Sequence, residues 1–166
     1  MPYAYSTATA SGIDVTAPLH GSCISWQGHG VLILGAPGSG KSTLALECIH
    51  QGAELVADDA VMLRQEESSI VASCPLLLQG CLALRELGVL SIPFVKQAGI
   101  QLAVILDEGR LSREMLSLCE INVPCLHVPR TYPAIVALMR YAVFASADKH
   151  GIKWLSDEWL PTRLPI

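Results

Sequence analysis

Val31-Leu32-Ile33-Leu34-Gly35-Ala36-Pro37-Gly38-Ser39-Gly40-Lys41-Ser42-Thr43 is the stretch from which the rest of the chain is read. Its first four residues are apolar without alternation, the pattern of a strand covered on both faces. Residues 35–42 then fit G-x-x-x-x-G-K-[ST] at every fixed position. From Lys41 to Gln51 the chain reads as a helix, with Leu44, Ala45, Cys48 and Ile49 on one stripe and Gly52 as its stop. Strand, glycine-rich loop and helix in this order make a phosphate cup. The glycines let successive amides point inward, and the helix adds its positive N-terminal end. Lys41 would reach the β- and γ-phosphates, and the Ser42 hydroxyl would ligate magnesium. The reading therefore expects ATP and Mg2+ as cofactors. It makes Gly35, Ala36, Pro37, Gly38, Ser39, Gly40, Lys41, Ser42 and Thr43 the nucleotide-binding residues.

Upstream of the loop, Ile13 to Leu19 and the half-alternating Cys23-Ile24-Ser25-Trp26 predict strands, and Gln27-Gly28-His29-Gly30 predicts a turn. Downstream, Leu55-Val56-Ala57 predicts a strand ending at Asp58-Asp59. Ala60 to Leu63 and Ile70 to Ser73 predict a hairpin around Glu66-Glu67-Ser68-Ser69. The apolar segment 76–100 has no clear period. Gln101 to Leu106 and Cys125 to Val128 predict buried strands, and Ser112 to Glu120 a helix. Pro133 opens a second helix over about Ala134 to Lys149, stopped by Gly151. Trp154, Leu155, Trp159 and Leu160 suggest a short amphipathic helix in the tail. The sum is an α/β fold of strands and helices built around a P-loop. Residues 12–166 are expected to form one domain, and residues 1–11 a flexible N-terminus.

The 166 residues are 51% hydrophobic and 16% charged, with a net charge of −4. That balance suits a folded core and argues against a broad nucleic-acid surface. The six cysteines form no Cys-x-x-Cys pair and stand beside no paired histidines, so zinc is not expected and reduced, mostly buried thiols are. Cys48 and Cys119 fall in apolar helical patterns. The first eleven residues lack Lys and Arg, unlike a secretory signal, and no apolar run is long enough to span a membrane. The expectation is a cytoplasmic protein without membrane or nucleic-acid partners.

Asp58 and Asp59 stand at a strand end beside the loop, where open α/β sheets hold their ligands. A carboxylate there can hold magnesium or take the proton of a hydroxyl nucleophile. Two extended neighbours would point to opposite faces and take different roles, unless the chain kinks.

Four motifs occur in order: His20-Gly21, the loop, Leu55-Val56-Ala57-Asp58-Asp59-Ala60-Val61, and Leu84-Arg85-Glu86-Leu87-Gly88-Val89-Leu90-Ser91-Ile92. Together they resemble the catalytic domain of the HPr serine kinase/phosphorylase family, from about Leu19 to about Ala145. The chain looks like the short form without the family's N-terminal domain. The resemblance implies a P-loop kinase core with a mixed β-sheet flanked by helices, ATP-dependent phosphorylation of a serine on the carrier protein HPr, reverse phosphorolysis, and homo-oligomers of hexameric type. It implies Asp58 as general base, Asp59 with Ser42 at the metal, and catalytic contributions from Lys41, His20, Arg85 and Arg130. Three positions depart from the family. Its Glu-x-Arg-Gly signature reads Ala83-Leu84-Arg85-Glu86 here, so an acidic residue at the metal is missing. Pro129-Arg130-Thr131-Tyr132-Pro133 keeps one arginine of two, and Ser91-Ile92-Pro93-Phe94 replaces an Asn-Val start. A small-molecule P-loop kinase and a nucleotide-responsive regulatory module with little catalysis stay open as alternatives.

Overall fold

A computed structural model describes residues 17–147. In chain order its elements are β1 (Leu19–His20), β2 (Ser22–Trp26), β3 (His29–Gly35), α1 (Lys41–His50), β4 (Glu54–Ala57), β5 (Ala60–Glu66) and β6 (Ser69–Ser73). A 3-10 turn at Leu76–Leu78 leads to β7 (Cys81–Leu84) and β8 (Gly88–Ser91). Then follow β9 (Gln97–Asp107), β10 (Ser112–Leu118), β11 (Ile121–Pro129) and α2 (Ile135–Ala147).

Among the described residues, nine strands form one mixed sheet in the order β1-β5-β6-β9-β3-β2-β4, with β11 also on β9 and β10 on β11. The 11-residue β9 is its spine. One edge of β9 pairs in parallel with β3, from His29 opposite Gly99 to Gly35 opposite Leu106. The other edge is shared. Its first residues pair with β6 antiparallel, and Ala103 to Asp107 pair with β11 in parallel. β7 and β8 form a separate hairpin.

The uninterrupted apolar runs of β3 and β9 are explained by what covers each face. Val31, Ile33, Leu102 and Val104 pack under α1 and α2, against Leu44, Cys48, Met139 and Val143. Leu32, Leu34 and Ala103 face the other way, into a second core with Val61, Ile70, Leu116 and Leu118. Strand residues supply all of the buried positions in that second core except Cys74. Both described helices thus cover one face, and the sheet curls to cover the other.

Several sequence expectations need correction. Ser112 to Glu120 is not a helix; Ser112–Leu118 is β10, paired antiparallel with β11. Its Arg, Glu, Met and Leu residues favour helix, but Leu116 and Leu118 are buried while Leu111 and Met115, the other members of a helical stripe, are exposed. Burial at a period of two therefore overrides propensity. Cys119 lies in the tight turn that follows, where it and Glu120 both have positive φ, 48° and 64°. Two left-handed residues in a two-residue loop match the strand twist. The segment without a clear period holds the 3-10 turn and the β7–β8 hairpin, and β9 starts at Gln97 rather than Gln101. Of the first predicted strand only Leu19 falls in β1, and residues 13–16 lie outside the described part. Pro133 stands two residues before α2, whose expected end at Lys149 and Gly151 lies outside the described residues, as do the tail tryptophans.

Sheet topology places the site. β3, β9 and β11 run parallel, so Gly35, Asp107 and Pro129 end on one edge. β4 is antiparallel to β2, which is antiparallel to β3, so β4 runs with β3 and delivers Asp58 to that same edge.

Candidate active site

The phosphate loop joins β3 to α1. Gly40 caps α1 with φ of 95° and makes no side-chain cap bond. A side chain there would be strained, and its Cβ would lie 2.9 Å from Arg130 Nε. Lys41 is 7% exposed. Its ammonium donates to the carbonyls of Gly35 and Ala36, each at 3.0 Å, folding the side chain back along the loop. Burial pulls its pKa below the usual lysine value, against the opposing pull of the Asp58 and Asp59 carboxylates. Ser39 Oγ is buried in the loop and has no hydrogen-bond partner.

Asp58 is the hub. It is 2% exposed. Ser42 Oγ donates to both of its carboxylate oxygens at 2.9 Å, Ser22 Oγ to Oδ1 at 2.7 Å, and the Ala83 amide to Oδ2 at 3.0 Å. The buried carboxylate is therefore held by four contacts from three elements, as a desolvated charge requires. A hydroxyl beside a carboxylate is a hard-oxygen donor pair of the kind magnesium takes.

Asp59 differs. Its φ is 66°, and the Ala60 amide donates across it to the Asp58 carbonyl at 2.8 Å. This three-residue turn is the kink that brings both aspartates to one cleft. The Asp59 side chain is 59% exposed and lies 3.3 Å from His20 Nδ1. Gly21 lets β1 lead into β2 at close quarters, since a Cβ there would sit 2.8 Å from the Ile33 carbonyl oxygen.

One cleft of about 530 Å3 is lined by His20, Lys41, Ser42, Asp58, Asp59 and Arg85, among others. Arg85 reaches it from the β7–β8 hairpin, its guanidinium 3.6 Å from where a Gly38 Cβ would be. Arg130, with Gly35, Ala36 and Ser39 of the loop, does not line this cleft. It lies across the loop, in a second hollow with Gly35 to Ser39, Asp107 and Thr131, where it donates to Glu47 of α1 at 2.9 Å. Glu86 is exposed and does not line the cleft. The position of the missing acid instead supplies its backbone amide, Ala83 N–H, to Asp58.

Sequence reading missed Ser22 and the Ala83 amide. A buried serine opening β2 was a signal only in hindsight of its partner. A backbone donor leaves no trace in residue identity.

The family model of the HPr serine kinase C-terminal domain matches residues 13–138. An HPr kinase/phosphorylase of Clostridium tetani is 35% identical over 120 residues, 67% of this chain and 39% of that protein. One of Bacillus licheniformis is 34% identical over 136 residues, 72% of this chain and 44% of that protein. The chain thus spans less than half the length of these two relatives. The solved structure of the HPr(Ser) kinase/phosphatase from Coxiella burnetii superposes with a TM-score of 0.69 at 27% identity, covering 75% of this chain and 94% of that one. The chain therefore belongs to the family of the HPr serine kinase C-terminal domain.

Proposed function

We propose that this chain transfers the terminal phosphate of ATP, in the presence of magnesium, to a serine of an HPr-like carrier protein. The observation that carries the reading is one cleft in which Lys41 and Ser42 of the loop face both aspartates and His20. The loop amides and Lys41 would hold the phosphates in line, and Arg85 would offset charge spread over the transferring group. Magnesium would be held by Ser42 with Asp58 and would neutralise phosphate charge.

The two aspartates exchange the roles drawn from the family resemblance. Asp58 lines the cleft but is 2% exposed, and its oxygens already accept from Ser22, Ser42 and the Ala83 amide, which suits it to the metal more than to an incoming proton. Asp59 is open to the cleft and backed by His20, which suits the group that takes the serine proton and returns it in the reverse direction. Arg130 acts as a positioning residue that braces Gly40 from the far side of the loop. The reaction belongs in the cytoplasm, carried out by a homo-oligomer. Exposed Leu87 and Val89 on the β7–β8 hairpin support a surface that another chain covers.

The test is transfer of labelled phosphate from ATP to purified HPr. Lys41→Ala is expected to abolish it. Asp59→Asn is expected to keep nucleotide affinity within a few fold and slow transfer by at least about 100-fold; full-rate transfer would return the base to Asp58. A second reading, nucleotide binding with little catalysis, rests on Ala83, where no carboxylate faces the metal side. ATP binding without transfer to any HPr would favour it.

A further inference from the structure

Away from the cleft, β9, β10 and β11 gather four chemistry-bearing side chains. His127 bonds Asp107 Oδ2 through Nδ1 at 2.8 Å and Glu114 Oε1 through Nε2 at 2.9 Å. Glu114 stands directly opposite Cys125 in the β10–β11 register. Cys125 and His127, two apart on one strand, share its face. A Glu114 oxygen, Cys125 Sγ and a His127 ring nitrogen all lie within 4.8 Å of one another. Cys125 is buried, and its thiol makes only a long 4.0 Å contact to the Leu126 carbonyl.

We propose that Glu114, Cys125 and His127 form a binding site for a zinc-type divalent cation, with Asp107 as the carboxylate that orients His127. A mixed set of imidazole, thiolate and carboxylate donors is the set zinc prefers. With bonds of zinc length, tetrahedral neighbours N and O stand roughly 3.3 Å apart. The His127–Glu114 contact therefore needs to open by only a few tenths of an ångström, and the Cys125 sulfur to swing inward. Asp107 on Nδ1 fixes the tautomer that presents Nε2 to the ion, the usual carboxylate–histidine–metal arrangement. Glu114 stands at the exposed rim, so the fourth position opens to water. Ligation releases the Cys125 thiol proton to solvent. No residue of this group lies among those lining the cleft with Asp58 and Asp59.

The untagged full chain, stripped with chelator and kept in excess magnesium, would be titrated with Zn2+ against a chromophoric chelator and separately with Co2+. One Zn2+ per chain and a thiolate-to-cobalt charge-transfer band are expected. Cys125→Ser should lose the band, and Glu114→Gln, at the rim and least able to disturb folding, should weaken binding. Asp107→Asn should weaken binding about 10- to 100-fold. Circular dichroism would identify any variant that fails to fold, leaving Glu114→Gln as the deciding one. Absence of stoichiometric uptake by the unmutated chain overturns the site. So does a band that persists in Cys125→Ser, or affinity unchanged in Glu114→Gln.

Discussion

Asp58 concentrates the energetics of the site in one side chain. Its carboxylate is buried and held by Ser22, Ser42 and the Ala83 amide. Removing one donor leaves a buried charge less satisfied, which costs about 1–3 kcal/mol. Ser22→Ala is therefore expected to lower the unfolding free energy by that amount in urea titrations. An unchanged midpoint would mean that water replaces the hydroxyl. Gly40 concentrates conformational demand instead. Gly40→Ala adds roughly 1–2 kcal/mol of backbone strain at its left-handed φ, and its Cβ collides with Arg130. A free loop relaxes that strain and must take it up again on binding, so nucleotide affinity should fall by about 5- to 30-fold, as read by calorimetry. These demands were partly visible in advance. The motif named Gly40, Lys41 and Ser42, whereas the backbone amide at Ala83 carries no signature in its side chain.

At the scale of elements, β10 is the instructive case. Its residues suit a helix, and only pairing with β11 makes them a strand. The two alternatives bury different side chains. Leu118→Ala is expected to cost about 2–5 kcal/mol, as for a core leucine. Met115→Ala, at a position 55% exposed, should change stability by no more than about 0.5 kcal/mol. Equal losses at both positions would point to the helical stripe instead. The β7–β8 hairpin makes the complementary point. It stands outside the main sheet, yet it delivers both the Ala83 amide and Arg85 to the cleft. Its sequence has no strong period because its residues are mostly exposed or half-buried.

For the whole molecule, the decisive feature is a sheet buried on both faces by different means. Ile33 meets the helices, and Leu32 meets strands of the curled sheet. Leu32→Ala and Ile33→Ala should therefore destabilise alike, by about 2–5 kcal/mol each. Chemical denaturation of the two variants checks this, and a near-neutral result at either would mean that face is open. Nucleotide binding couples to the same cooperative unit. ATP at 100 times its dissociation constant should add about 2.7 kcal/mol to stability, seen as a rise in the melting temperature that Lys41→Ala diminishes. What the sequence determined by itself was local: the unbroken apolar runs of β3 and β9, the loop whose glycines and Lys41 make an anion cup, and the family that the ordered motifs resemble. Those features are legible because backbone conformation and strand burial depend on residues near in the chain. Tertiary structure alone decided that β10 is a strand, that Arg130 braces the loop from behind, and that Glu114, Cys125 and His127 converge. Each depends on register or contact between segments far apart in sequence, where no local period carries the information.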